Sequence, residues 1–343
     1  MAIAAPEGRT RPGERPGPDR AIPAAASGGA LARPAGPRPA RRNERLDALR
    51  GLAIGCVVVM HNTLEHVATP AQILVGSFLH NLVTFGVPLF FALSGYFLAR
   101  DQSRDFWAYA RGKFLRVGLP ALVWTALFWL ILGALGAVRS FSPGDLFWDL
   151  LTLQNPPHYY FSFVLLALLG IGYALKRLDT GALRLALWGA LGLNLGTIAL
   201  YEVAIWRVDA ALLPGAAMYR NPLAWGFFFV LGLYLGRADP GLDGAWFAFL
   251  ARHRVAAVTI AAACYLATSL ETWRLFDRLA PGGQDYFKVA SFLYELLAVS
   301  GALGLSRYLG SAHLPGRVLR RLAPYAFFIY LIHLPVVPKL MAG

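Results

Sequence analysis

The sequence predicts an all-α, polytopic transmembrane helix bundle of about nine spans. Three observations predict it. Hydrophobic residues make up 57% of the 343 positions and charged residues only 15%, and the mean hydropathy is +0.50. That is too apolar for a soluble domain. The apolar residues form runs of about the 20 residues that a bilayer crossing needs. The Lys and Arg residues behind the formal charge of +13 cluster between those runs. This is the pattern of cytoplasmic loops and not of a nucleic-acid-binding face, so no nucleic acid is expected as a partner.

Residues 1–45 stand apart, rich in Pro, Ala, Gly and Arg as in "RTRPGERPGPDR" and "ARPAGPRPARRNER". Such a segment buries too little apolar surface to offset its ordering entropy and is expected to be a disordered tail. It has no continuous apolar stretch of the kind a secretory signal carries. Its basic end, "ARRNER", suits anionic headgroups on the cytoplasmic side.

Spans are expected near 47–66, 79–99, 117–138, 159–175, 183–205, 222–236, 255–272, 287–306 and 323–341. "SPGDLFWDLLTLQ" (142–154) is shorter and amphipathic, as an interfacial helix would be. With the N-terminus cytoplasmic, inner loops such as "RDQSRDFWAYARGKFLR" and "RYLGSAHLPGRVLRR" are richer in Lys and Arg than outer ones such as "EHVATPAQ". The positive-inside bias therefore favours a multi-pass protein of the inner (plasma) membrane with its N-terminus inside. Cys56 and Cys264 both fall in apolar segments and read as small hydrophobes, with neither metal spacing nor a disulfide framework.

Polar groups on apolar helices are the candidates for chemistry. Arg50 and His61 flank ten uncharged residues of the first span, about 16 Å apart on a helix. With Arg50 near the inner headgroups, His61 lies inside the bilayer and needs a partner or a wet cavity. A neutral imidazole there can act as a general base toward a hydroxyl; a helix-end histidine touching headgroups fits the spacing equally. Glu65 lies one turn beyond His61. In "TFGVPLFFALSGYFLAR" Ser94 and Tyr96 put hydroxyls on an apolar helix, and Gly86, Pro88 and Gly95 suit close packing. Arg111, Lys113 and Arg116 in "RGKFLRVGLP" suit phosphates or serve as an ordinary basic flank. His158 and Tyr160 open a helix, where an aromatic belt is the alternative. Tyr330 and His333 in "YAFFIYLIHLP" bring a second intramembrane histidine, and Glu295 places a costly carboxylate near mid-span.

Taken in order, these stretches resemble the acyltransferase 3 family of integral membrane O-acyltransferases. "RLDALRGLAIGCVVVMHN", which includes Asp47, is similar to the family's opening helix, with a cation, ten residues, then His. "FGVPLFFALSGYFLAR", "KFLRVGLP", "PHYYFSFVLLALLGIGYAL" and "YAFFIYLIHLP" are similar to four further family segments. Lys113 stands where the first arginine is usual, and Ala326 where serine is usual. The resemblance spans residues 45 to about 336.

It implies a bundle of about ten helices, of which nine are counted here. Residues 46–343 would form the acyltransferase domain, truncated at its C-terminus or completed by a partner. It implies acyl-CoA, most simply acetyl-CoA, as a co-substrate reached from the cytoplasm, with no tightly bound cofactor and no metal. The acceptor it implies is a hydroxyl of a carbohydrate or glycosylated product, as in surface-polysaccharide modification by O-acetylation. It carries catalysis onto His61 with a supporting cation at Arg50, and donor binding onto Lys113 and Arg116, with Arg111 beside them. Asp47, Glu65, Ser94, Tyr96, His158, Tyr160, Glu295, Tyr330 and His333 are supporting or acceptor-site candidates. Two other readings compete: a proton-coupled transporter using His61, Glu295 and His333, and an inactive family member.

Overall fold

In a computed structural model the chain is described over residues 43–64, 69–134, 142–153, 156–207, 215–276, 287–309 and 313–341. Side chains are described within these bounds except at 205–207, 215–216 and 334–341. The expected N-terminal tail lies almost wholly outside the described residues, as does Glu65. Among the described residues there is no strand.

The chain runs α1 (Glu44–His61), α2 (Pro70–Val83), α3 (Gly86–Ala99), α4 (Phe106–Lys113), α5 (Leu119–Ala134), α6 (Pro143–Thr152) and α7 (Tyr160–Leu175). It continues through α8 (Thr180–Arg207), α9 (Gly215–Tyr219), α10 (Gly226–Ala238), α11 (Ala245–Arg252), α12 (Arg254–Leu275), α13 (Val289–Leu309), α14 (Leu314–Leu322) and α15 (Ala326–Met341).

Among the described residues, six helical stretches are long and apolar enough to cross a bilayer: 70–99, 106–134, 157–175, 180–204, 254–275 and 289–309. Three of the nine expected spans fall short of that length and composition. α1 carries Glu44, Arg45, Asp47 and Arg50 in its first two turns. α10 has 13 residues and α15 has 16.

Two helices begin earlier than hydropathy suggests, each for a local reason. α2 starts at Pro70 because Thr69 and Gln72 form a reciprocal capping box, with N···O distances of 3.2 and 3.0 Å, and Pro70 occupies the first turn. The polar letters of "TPAQ" read as loop but are a helix start. Likewise Asp105 accepts the Ala108 N–H at 2.7 Å and starts α4 inside a stretch expected to be an inner loop. α4 and α5 are joined by a π-helical turn, Phe114–Gly118. In an unbroken α-helix the ring of Pro120 would crowd the carbonyl of Arg116; the widened turn just before it absorbs that conflict.

α1 sits centrally, packed against α2, α3, α13, α14 and α15. α10 is buried along nearly its whole length and lies backbone to backbone on α3. A Cβ on Gly95 would stand 1.9 Å from the Phe229 carbonyl oxygen, and one on Gly232 would stand 1.8 Å from that of Ala92. Only glycine permits this approach. By contrast α5, α8 and α12 turn large apolar side chains outward, among them Leu130, Leu185, Leu200, Val255 and Val258. A helix that is apolar on its outer face suits a lipid surround.

Candidate active site

A cavity of about 300 Å³ opens between α1, α3, the π-turn, α7 and the start of α15. Apolar side chains such as Val57, Phe90, Phe161 and Phe327 form most of its wall. Its polar lining consists of Arg50 and His61 from α1, Ser94 from α3, Arg116 from the π-turn, His158, Tyr160 from α7, and Tyr330 from α15. Arg50 and His61 stand on one helix eleven residues apart, about 16 Å. The cavity therefore extends between a cationic region and an imidazole.

Arg50 stacks on Phe97, with its guanidinium carbon 4.2 Å from the ring centroid, and is held by Asp47 at 3.4 Å. Both contacts fix the planar fork of the side chain. Arg116 projects from the widened turn, which offsets the residues before it from those of the following α-helix.

At the His61 end three imidazoles converge. The His61 ring lies 5.1 Å from His333 and 6.1 Å from His158, and the latter two are 4.8 Å apart, centroid to centroid. His158 Nε2 donates to the Tyr330 carbonyl at 3.1 Å, and His333 Nδ1 donates to the same oxygen at 2.9 Å. A carbonyl only accepts, so both nitrogens carry protons. The other two ring nitrogens, His158 Nδ1 and His333 Nε2, are buried and without a hydrogen-bond partner. The Tyr330 hydroxyl donates to the His158 carbonyl at 2.8 Å, and the Tyr159 hydroxyl to the Leu331 carbonyl at 2.7 Å. These bonds clamp the start of α7 onto α15.

Other candidates stand elsewhere. Lys113 does not line the cavity: it pairs with Asp101 at 3.6 Å and lies over Tyr109. Arg111 is exposed and also outside the lining. Tyr96 donates to the Pro240 carbonyl at 2.7 Å and carries Arg100 over its ring, so it ties α3 to the turn after α10. Ser94 lines the cavity but donates to its own helix, to the Phe90 carbonyl at 2.8 Å. Glu295 is buried on α13 beside the Thr84 hydroxyl, with Oε1 unpartnered, and does not line the cavity.

Several buried polar residues escaped the sequence reading. His80 reaches the Met60 carbonyl at 3.3 Å and Thr63 at 3.4 Å, bracing the end of α1. Asn81 and Lys288 both donate to Thr272, at 3.0 and 2.7 Å. The histidine and asparagine in "FLHNL" are polar residues on an apolar helix, but they fall at the expected start of the span at 79, where a polar border accounts for them. Among the described residues no cluster of His, Cys, Asp or Glu is arranged to hold a metal ion.

Outside the spans, Asp101 ties three helices together. It accepts from the Ser103 amide at 2.9 Å and from the Ser103 hydroxyl, and faces Lys176 at 3.4 Å and Lys113 at 3.6 Å. Burial pushes its carboxyl up, but the Ser103 donors and the two ammonium groups outweigh that and hold it down at about 2.

The profile of the acyltransferase 3 family, described as an acyltransferase domain, matches residues 43–341. The chain belongs to the acyltransferase 3 family. The match covers every described helix from α1 to α15, so this all-helical membrane protein is an acyltransferase. No curated protein and no solved structure matches the chain. Within this acyltransferase the expected pair Arg50 and His61 shares one cavity, joined by Arg116, Ser94, His158, Tyr160 and Tyr330.

Proposed function

We propose that the protein transfers an acyl group, most simply acetyl, from acyl-CoA to a hydroxyl of a carbohydrate or glycosylated acceptor. The observation that carries this reading is a shared cavity with Arg50 and Arg116 on its wall and His61 about 16 Å along α1 from Arg50. Two guanidiniums suit the phosphates of a CoA donor through bidentate, charge-assisted hydrogen bonds. The apolar wall suits the acyl-bearing arm, and the volume of about 300 Å³ fits that arm and not the whole nucleotide. In this reading the Arg50 end faces the cytoplasm, where the donor is made, and the N-terminus lies on the same side.

His61 takes the proton from the acceptor hydroxyl as its oxygen attacks the thioester carbonyl. The new C–O bond forms, the C–S bond breaks, and the proton held by His61 passes to the departing thiolate. The products are the ester and free CoA thiol, with no net proton gained or lost.

The test is release of CoA thiol and formation of O-acyl ester by purified protein in proteoliposomes supplied with acetyl-CoA and a carbohydrate acceptor. His61→Ala is expected to lower the rate by about 10²- to 10⁴-fold, the usual contribution of a general base. Equal rates in the variant and the unaltered protein would remove His61 from the mechanism. Proton flux without acyl-CoA would favour a transporter instead.

A further inference from the structure

A histidine acting as a base needs one ring nitrogen bare toward the substrate, and a partner for the N–H of the other nitrogen usually holds it that way. A carboxylate is the common partner. Among the described residues none lines this cavity: Asp47 holds Arg50, and Glu295 sits beside Thr84.

Resting on the reading of His61 as the base of an acyl transfer, we propose that His333 is its positioning residue. In this arrangement the bare Nε2 of His333 accepts the His61 N–H, and the opposite nitrogen of His61 is left unprotonated toward the cavity. Four observations carry it. The His333 ring is buried, and its Nδ1–H is committed to the Tyr330 carbonyl at 2.9 Å. That fixes the tautomer and makes Nε2 an acceptor. Nε2 has no hydrogen-bond partner, and leaving such an atom unpaired in a dry interior is costly. Of the two imidazoles around His61 that carry an orphan nitrogen, His333 is the nearer, at 5.1 Å against 6.1 Å for His158. Finally, His61 and His158 line the cavity whereas His333 does not, so His333 would act through His61 and not as part of the cavity wall. The rings are tilted by 49° and His333 Nε2 carries no hydrogen bond in the structure, so the proposed bond requires the His61 ring to turn about χ2. His80, the remaining neighbour, is engaged with the Met60 carbonyl and Thr63.

The chain of groups is then substrate hydroxyl, His61, His333 and the backbone carbonyl of Tyr330. When His61 has taken the hydroxyl proton, His333 accepts a hydrogen bond from the imidazolium and stabilises it; no proton moves beyond His61.

Two substitutions separate this role from packing. His333→Gln keeps an acceptor atom near the place of Nε2. His333→Phe keeps ring volume and removes the acceptor. In acyl transfer, His333→Phe is expected to lower kcat at least about tenfold with KM for acyl-CoA nearly unchanged, and His333→Gln to restore most of kcat. Solid-state NMR of protein labelled with ¹⁵N-histidine gives a readout that needs no activity. It should show a protonated Nδ1 and a bare Nε2 on His333. It should also show a hydrogen-bonded N–H on His61 that is lost in His333→Phe and kept in His333→Gln. Equal loss of kcat in both variants, or a His61 signal indifferent to them, overturns the proposal. An unaltered protein that transfers no acyl group yet shows the expected spectra would overturn the functional reading, and with it the catalytic role, and leave only the His61–His333 hydrogen bond standing.

Discussion

One backbone oxygen, that of Tyr330, organises the histidine end of the cavity by taking an N–H from each of two imidazoles. At the other end two guanidiniums are presented by different means, Arg50 by stacking on Phe97 and pairing with Asp47, Arg116 by a widened helical turn. Arg116→Gln is expected to raise KM for acyl-CoA about tenfold, the cost of one charge-assisted hydrogen bond, with kcat retained. Arg111→Gln, on an exposed residue outside the cavity, is expected to leave both constants unchanged in the same steady-state assay. The pair Arg50 and His61 was legible in the sequence because helical rise alone fixes their separation. The convergence of His61, His158 and His333 was not, since residues 61, 158 and 333 meet only through the packing of α1, α7 and α15. Lys113 shows the converse. Its sequence context suits a phosphate, and in the structure its ammonium pairs with Asp101 outside the cavity lining.

At the scale of helices, α3 and α10 meet at a close seam where Gly95 and Gly232 lie against carbonyl oxygens. Gly232→Ala forces the two backbones apart and is expected to destabilise the protein by about 1–3 kcal/mol, as overpacking does. The loss should appear as a lower Tm in detergent. Gly196 on α8 meets nothing within 4 Å of an added Cβ, so Gly196→Ala should leave Tm unchanged or raise it, by up to about 1 kcal/mol of helix propensity. Hydropathy marked most helices because a run of about 20 apolar residues has few alternatives in a bilayer. It missed the first turns of α2, the whole of α4 and the short helices α9, α11 and α14. These depend on caps and on neighbours, and hydropathy registers neither.

Across the whole molecule, the junction at Asp101 joins the end of α3 to α4 and, through Lys176, to the end of α7. Its carboxyl is held at about 2, below the ordinary value of about 3.9. The sign follows from linkage: the ion pairs contribute fully above the ordinary value and are lost as pH falls through about 2. Asp101→Asn is therefore expected to lower Tm at pH 7, and the difference from the unaltered protein should shrink between about pH 4 and pH 2. Thermal unfolding across that range measures it. The inside-to-outside order of the bundle was partly legible, since α8 and α12 read as apolar runs. Which helix is enclosed by protein was not, because α10 reads much like its neighbours and differs in what surrounds it.

Its burial frees α10 from a constraint that governs the outer helices. A helix facing lipid must match the thickness of the hydrocarbon layer or tilt to do so. α10, at 13 residues and enclosed by protein, is only about 20 Å long and has no lipid to match. Hydrophobic mismatch in a thicker or thinner bilayer thus falls first on α5, α8 and α12. The α3–α10 seam, which carries Ser94 on the cavity wall, is shielded from it.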